Sequence, residues 1–224
     1  MVAHLCFLEV NLNIKYAIFD LDGTLFNSTH IWEKVDILFF ESYGMSLPSG
    51  YLDVVAHKSL DEASLYTKHT YNLKESTHEI KAHWDKLIRK EYEENIALKP
   101  YVTDFLEHLK NKNVKMAVAT GLPHSLFKPA LKRLDIEKYF STMCSVDDVK
   151  KGKGSPDLFL YTAKNLGAKP EECVMFEDVL NAMKVAKSVG MTVCAVWDKA
   201  SKNEEEISQT ADYYIKSWAE LLND

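Results

Sequence analysis

The sequence predicts an α/β fold built on a parallel sheet, with an all-helical insertion placed after the first strand. Three observations carry this reading. From about residue 96 onward, short apolar strand-like runs alternate with helical patterns, and that alternation implies parallel strands joined by crossover helices. One further strand-like run, 14–20, belongs to the same set, yet none follows it until residue 114. Between the two, charged and apolar positions recur at helical spacing.

Taken in order, the first strand spans 14–20, and the insertion reads as helices over 31–43, 60–71 and 77–94. Later strands are expected at 114–120, 140–146, 173–178, 192–197 and 211–215, with helices at 101–112, 124–134, 156–166 and 179–189. Punctuation supports the helices: Ser155-Pro156 opens one, and Gly167 and Gly190 follow two others, as helix starts and C′ positions prefer. The expected architecture is a Rossmann-like sheet with helices on both faces, formed by 1–27 and 97–224, carrying a small all-α domain at 28–96.

Composition narrows the function. The 224 residues are 46% hydrophobic and 27% charged, as in an ordinary globular protein. The net charge is −6 and no block of Lys and Arg occurs, which argues against nucleic acid or an anionic membrane surface as partner. Cys6, Cys144, Cys173 and Cys194 form no CxxC pair, so disulfides and zinc are not expected and a reducing, cytoplasmic setting is. The N-terminus lacks a basic n-region and a sustained apolar core, and is not read as a signal peptide. No apolar run approaches the ~20 residues of a membrane span.

Chemistry concentrates at strand ends, where open parallel sheets bind ligands. The first strand ends in Asp20-Leu21-Asp22-Gly23-Thr24. Ionised groups beside a core are costly to desolvate. Residues two apart on an extended chain share a side, so Asp20 and Asp22 could both address one metal or phosphate. The next strand ends in Thr120-Gly121, Lys153 precedes Ser155-Pro156, and a later strand ends in Glu177-Asp178. Each has a plainer reading: the aspartates as turn residues, Thr120 as a strand terminus or helix cap, Lys153 as a solvated lysine, Asp178 as an N-cap. A calcium loop fails, because Gly23 falls too early and Ile31 stands where Glu is needed. The 151–155 run lacks P-loop spacing. Convergence of four segments on one edge favours a site.

In order and spacing, these four motifs resemble those of the haloacid dehalogenase superfamily, in the subfamily of β-phosphoglucomutase and sugar-phosphate phosphatases with a helical cap. The resemblance implies a phosphatase acting on a small phosphomonoester (sugar, polyol or nucleotide-derived) through an aspartyl-phosphate, with a phosphomutase as the alternative. It implies Asp20 as nucleophile, Asp22 as acid then base, and Mg²⁺ held by Asp20, the Asp22 carbonyl and Asp178 with Glu177 beside it. Thr120, the Gly121 amide and Lys153 would hold the transferring oxygens. In the cap, Trp32, His57 and Lys58 are candidates to face substrate; a packed Trp and solvated polar residues is the plain alternative. The mutases carry a phosphate-gripping arginine where this chain has Leu60, which favours hydrolysis. A non-enzymatic phospho-aspartate switch would lack the insertion and phosphorylate a later strand. The expected partner is a small phosphorylated metabolite, and the expected state a monomer.

Overall fold

The computed structural model describes residues 14–55, 58–201 and 203–222. Six strands form one parallel sheet: β1 (Tyr16–Phe19), β2 (Lys115–Thr120), β3 (Phe140–Ser145), β4 (Cys173–Glu177), β5 (Thr192–Val196) and β6 (Tyr213–Ile215). Their spatial order is β3-β2-β1-β4-β5-β6. The order therefore reverses between β1 and β4, and that switch point opens a crevice beyond the carboxyl ends of those strands. Phe19 pairs in register with Phe176, so the acidic residues that follow each strand emerge side by side.

Both sheet faces are covered. On one, Phe19 stacks on Phe176 at 4.8 Å, with Phe105 and Trp218 packed around them. Phe105 belongs to α5 (Val102–Asn111). On the other, Ile18, Ala117, Met175 and Val193 pack against α7 (Asp157–Leu166) and α8 (Leu180–Ser188). Two further helices, α6 (His124–Arg133) and α9 (Glu204–Thr210), complete the layers. Cys144, Cys173 and Cys194 are free and buried in β3, β4 and β5. Burial pushes the Cys173 thiol up to about 12 and raises Cys194 as well, so both act as small apolar residues.

The chain divides into two compact units, His30–Ile96 and the remainder. Within the sheet-bearing unit, the stretches on either side of the insertion are tied together. Phe26 bridges Leu98 in antiparallel fashion, the Asn27 N–H donates to the Ala97 carbonyl at 2.9 Å, and the Lys99 N–H to the Leu25 carbonyl at 2.9 Å. Asp198, just past β5, locks both: it pairs with Lys99 Nζ at 2.9 Å and accepts from Thr29 Oγ1 at 2.6 Å.

The helical unit contains α1 (Ile31–Ser42), α2 (Tyr51–Val55), α3 (Leu60–Thr70) and α4 (Thr77–Lys90), followed by one wider π turn over Glu91–Asn95. Ser59 with Glu62 and Ser76 with Glu79 form capping boxes that start α3 and α4. Phe39, Phe40, Tyr51, Ile80 and Trp84 make its core. Asp36 sits in this apolar setting, and burial alone raises its carboxyl to about 7. A folded-state value above the unfolded one means that the native chain holds a proton the unfolded chain has shed. Stability therefore falls as pH rises from about 4 to about 7, and the penalty is full above that. Asp36→Asn is expected to raise Tm at pH 8 by ~5 °C and by only a small part of that at pH 4.5, the effect at pH 8 being roughly 2 kcal/mol after allowance for solvent at the group's edge. Equal shifts at both pH values would contradict this.

Candidate active site

Strand β1 ends at Phe19, and its ladder continues for one more bond, the Asp20 N–H donating to the Phe176 carbonyl at 3.0 Å. That bond fixes the Asp20 side chain at the switch point, where it is buried. The chain then turns sharply: the Thr24 and Phe26 N–H groups donate to the Leu21 carbonyl at 3.2 and 2.7 Å, and the Gly23 N–H donates to Ser28 Oγ at 3.0 Å. Gly23 adopts φ +70°, and a Cβ built there would lie 2.2 Å from Asp178 Oδ2. Only glycine allows both this backbone and this approach. Gly23→Ala is expected to displace the Asp178 carboxylate, to cost ~1–2 kcal/mol in stability and to lower turnover ~100-fold. Circular dichroism melts and phosphate-release assays check the two effects; unchanged turnover would contradict the placement.

One carboxylate oxygen each from Asp20, Glu177 and Asp178 lies within 4.8 Å of the other two. Lys153 is the cation among them. Its Nζ donates to Glu177 Oε2 at 2.5 Å and sits 2.8 Å from Asp20 Oδ1. That second contact is an ion pair without hydrogen-bond alignment, so Asp20 Oδ1 has no aligned donor although it is buried. Glu177 has both oxygens committed, since Oε1 accepts from the Asp178 and Val179 N–H groups at 3.2 and 3.0 Å. Asp178 Oδ1 accepts from Thr24 Oγ1 at 3.0 Å.

The electrostatics follow from burial and charge count. Desolvation raises the Glu177 carboxyl to about 7, with the Asp20 charge adding and Lys153 opposing. Asp178 is likewise raised well above the usual range, by burial first and then by Glu177 and Asp20. Burial would lower Lys153, but the Asp20 and Glu177 charges outweigh it and hold the ammonium protonated. Three carboxylates share one lysine, leaving negative charge in excess. An all-oxygen donor set with that excess suits a hard divalent cation such as Mg²⁺.

Of the residues singled out in the sequence, Asp20, Lys153, Glu177 and Asp178 come together. Thr120 ends β2, is buried and accepts from the Leu122 N–H at 3.2 Å. Gly121 borders the Lys153 stem, its would-be Cβ 3.6 Å from Lys153 Cδ. Asp22 is half-buried in the turn after β1 and bridges Phe26; its carboxylate is not part of the three-acid cluster. Trp32 and Lys58 belong to the helical unit and line a cavity inside it, the Lys58 ammonium lying 5.7 Å from the Tyr66 ring centroid. His57 lies outside the described residues.

Two plainer readings give way. Asp178 does not cap α8, whose N-cap is Val179 with no side-chain cap bond. Lys153 is not a solvated lysine, its side chain being 16% exposed and doubly paired. Thr24 and Ser28 were not anticipated as site residues. Thr24 lies inside the opening motif, and its hydroxyl orients Asp178; Ser28 carried no signal beyond its closeness to the turn.

Known proteins place the chain. A family model described as haloacid dehalogenase-like hydrolase matches residues 17–196. A phosphorylated carbohydrates phosphatase of Thermotoga maritima is 30% identical over 178 residues, covering 80% of this chain and 82% of that protein. A phosphoglycolate phosphatase of Salmonella typhi is 29% identical over 202 residues, covering 80% and 79%. Among solved structures, a Thermotoga maritima protein assigned as a beta-phosphoglucomutase superposes with a TM-score of 0.84 at 27% identity, covering 94% and 97%. With the family model spanning both the acidic motifs and the sheet that converges them, the chain belongs to the haloacid dehalogenase-like hydrolases.

Proposed function

We infer that the protein is a Mg²⁺-dependent phosphatase that hydrolyses a small phosphomonoester through an aspartyl-phosphate on Asp20. The observation that carries this is the buried Asp20 Oδ1, without an aligned donor, beside the Lys153 ammonium and the Asp178 carboxylate at the switch point of the sheet. Asp20 attacks phosphorus while Asp22 protonates the leaving oxygen. Asp22 then takes a proton from water, which attacks the same phosphorus, releases phosphate and restores the Asp20 carboxylate. Splitting hydrolysis into two displacements on one carboxylate lowers each barrier. Lys153, the Thr120 hydroxyl and the Gly121 amide hold the transferring oxygens, where negative charge accumulates. Glu177 fixes Lys153 through the 2.5 Å bond and is itself fixed by two backbone N–H groups.

Asp20, Asp178 and the Asp22 carbonyl would hold the metal, with Glu177 beside them. The chemistry it supplies when bound is cancellation of repulsion between Asp20 and the anionic phosphoryl group. The relatives named above point to phosphorylated carbohydrates and phosphoglycolate as the first substrates to try, in a cytoplasmic setting and with a monomeric enzyme.

A panel of sugar phosphates, polyol phosphates, phosphoglycolate and nucleoside monophosphates, assayed for released phosphate with Mg²⁺ and with EDTA, tests the reading. The expected result is hydrolysis of at least one ester that EDTA abolishes and Mg²⁺ restores. Isomerisation of glucose 1-phosphate given a bisphosphate primer, with no ester hydrolysed, would overturn it in favour of a mutase.

A further inference from the structure

Strands β2 and β3 end side by side, with Thr120 in register with Ser145, and beyond that pair their ladder stops. One chain runs through Gly121 into α6, whose first residue is His124. The other makes one tight turn over Val146–Asp148 and runs on to Lys153. Loops past a sheet edge have no ladder bonds to fix them. Here two polar contacts join them: the His124 N–H donates to Asp147 Oδ2 at 2.8 Å, and the His124 ring Nε2 lies 2.8 Å from Asp148 Oδ2. An ionised carboxylate only accepts, so Nε2 is the donor. The same Asp148 oxygen takes the N–H of the buried Ser145 at 2.8 Å. The imidazole packs against the buried Phe127, ring centroids 5.3 Å apart. Capping accounts for the Asp147 bond, which closes the first turn of α6, and for the bond from Ser145 to Asp148, which closes its own turn. Neither cap needs the imidazole.

We propose that His124 and Asp148 form a clasp that sets the distance between the loop bearing Thr120 and Gly121 and the loop bearing Lys153. His124 is thereby a positioning residue for the groups that hold the transferring oxygens; what those groups do rests on the phosphatase reading. The clasp acts through short stretches of backbone, His124 lying three residues past Gly121 and Asp148 five before Lys153. Gly121 already borders the Lys153 stem, a would-be Cβ standing 3.6 Å from Lys153 Cδ, so a small slip of either loop changes the gap between the Gly121 amide and the ammonium. Lys153 is anchored to the ends of β1 and β4 through Asp20 and Glu177, and the clasp ties the Thr120 loop to that same frame. Donors to a transition state must be held to about 0.5 Å. Their misplacement lowers kcat more than it weakens substrate binding.

Three variants of the full chain test this: His124→Phe, His124→Gln and Asp148→Ala. Phenylalanine keeps a ring against Phe127 and loses the donor, whereas glutamine places an amide N–H where the imidazole Nε2 stood. Two backbone amides report on the loops, the Leu122 N–H, which donates to Thr120 Oγ1 at 3.2 Å, and the Ser145 N–H. In hydrogen exchange of the ¹⁵N-labelled chain, both are expected to exchange ~5-fold faster in His124→Phe, the loss of one hydrogen bond, and at the wild-type rate in His124→Gln. With p-nitrophenyl phosphate, or the best ester of the panel above, kcat should fall ~20-fold in His124→Phe with KM held within about two-fold, and recover in His124→Gln. Asp148→Ala should loosen the Leu122 amide and lower kcat in the same way, so it decides if His124→Phe fails to fold. Combining the two substitutions should slow the enzyme no further than Asp148→Ala alone. A Leu122 amide that keeps its wild-type rate in the folded variant, an unchanged kcat, or an equal fall in His124→Gln overturns the proposal. A wild type that releases phosphate from no ester counts against the phosphatase reading alone, and the Leu122 exchange rate then decides the clasp.

Discussion

Asp20→Asn is expected to abolish phosphate release, lowering turnover by ~10⁴-fold or more, while leaving the protein as stable as before or more so. The amide is nearly isosteric, so the ladder bond from the Asp20 N–H to Phe176 survives. Its oxygen is neutral and a poor nucleophile, and without a covalent intermediate only binding and positioning remain. The stability side has the opposite sign because three carboxylates crowd within 4.8 Å around one lysine. Removing one charge relieves repulsion on Glu177 and Asp178, both of which Asp20 pushes up, and Lys153 keeps its 2.5 Å bond to Glu177. Phosphate release and thermal melts measured on one preparation check both halves. A variant that keeps full activity sinks the mechanism, and one that simply unfolds sinks the electrostatic argument.

Lys153→Met carries the second large effect. The substitution keeps an unbranched apolar stem and removes the ammonium that neutralises Asp20 and Glu177. Breaking a buried pair by deleting one partner leaves an uncompensated charge and costs on the order of 3 kcal/mol. Turnover should fall ~10³-fold, as when one preorganised donor to the transition state is lost. A divalent cation can make up part of the lost charge compensation. Added Mg²⁺ is therefore expected to raise the Tm of the variant more than that of the wild type. Equal Mg²⁺ shifts in both would mean that Lys153 and the metal act on separate charges.

How much of this was legible in the sequence depends on how far each signal reaches along the chain. The parallel sheet was, because β2, β3 and β4 each lie between helices of about ten residues with clear apolar periodicity. Short elements were not: α2 is five residues with two adjacent valines, too brief for a period to register, and α9 opens on Glu204-Glu205-Glu206, which reads as a solvated run. Helix α4 ended earlier than the sequence suggested, its last stretch widening into a π turn at Glu91, a buried carboxylate paired with Lys34 at 2.6 Å. At the site, Asp20, Lys153, Glu177 and Asp178 were found because four motifs converge on one sheet edge. The bond from Thr24 to Asp178 spans 154 positions and has no local pattern to reveal it. The same holds for Glu177 as the anchor of Lys153. The sequence offered it as a metal neighbour; its bonds to the ammonium and to backbone N–H groups come from the fold.

The central claim, that phosphate passes through a covalent bond to Asp20, is tested most directly by acid-quenching the enzyme during steady turnover of a good ester and mapping phosphorylated peptides by mass spectrometry. The account predicts a hydroxylamine-labile phosphoryl group on the peptide containing Asp20, absent from Asp20→Asn. Rapid turnover with no phosphorylated peptide, or a phosphoryl group on another residue, would contradict it.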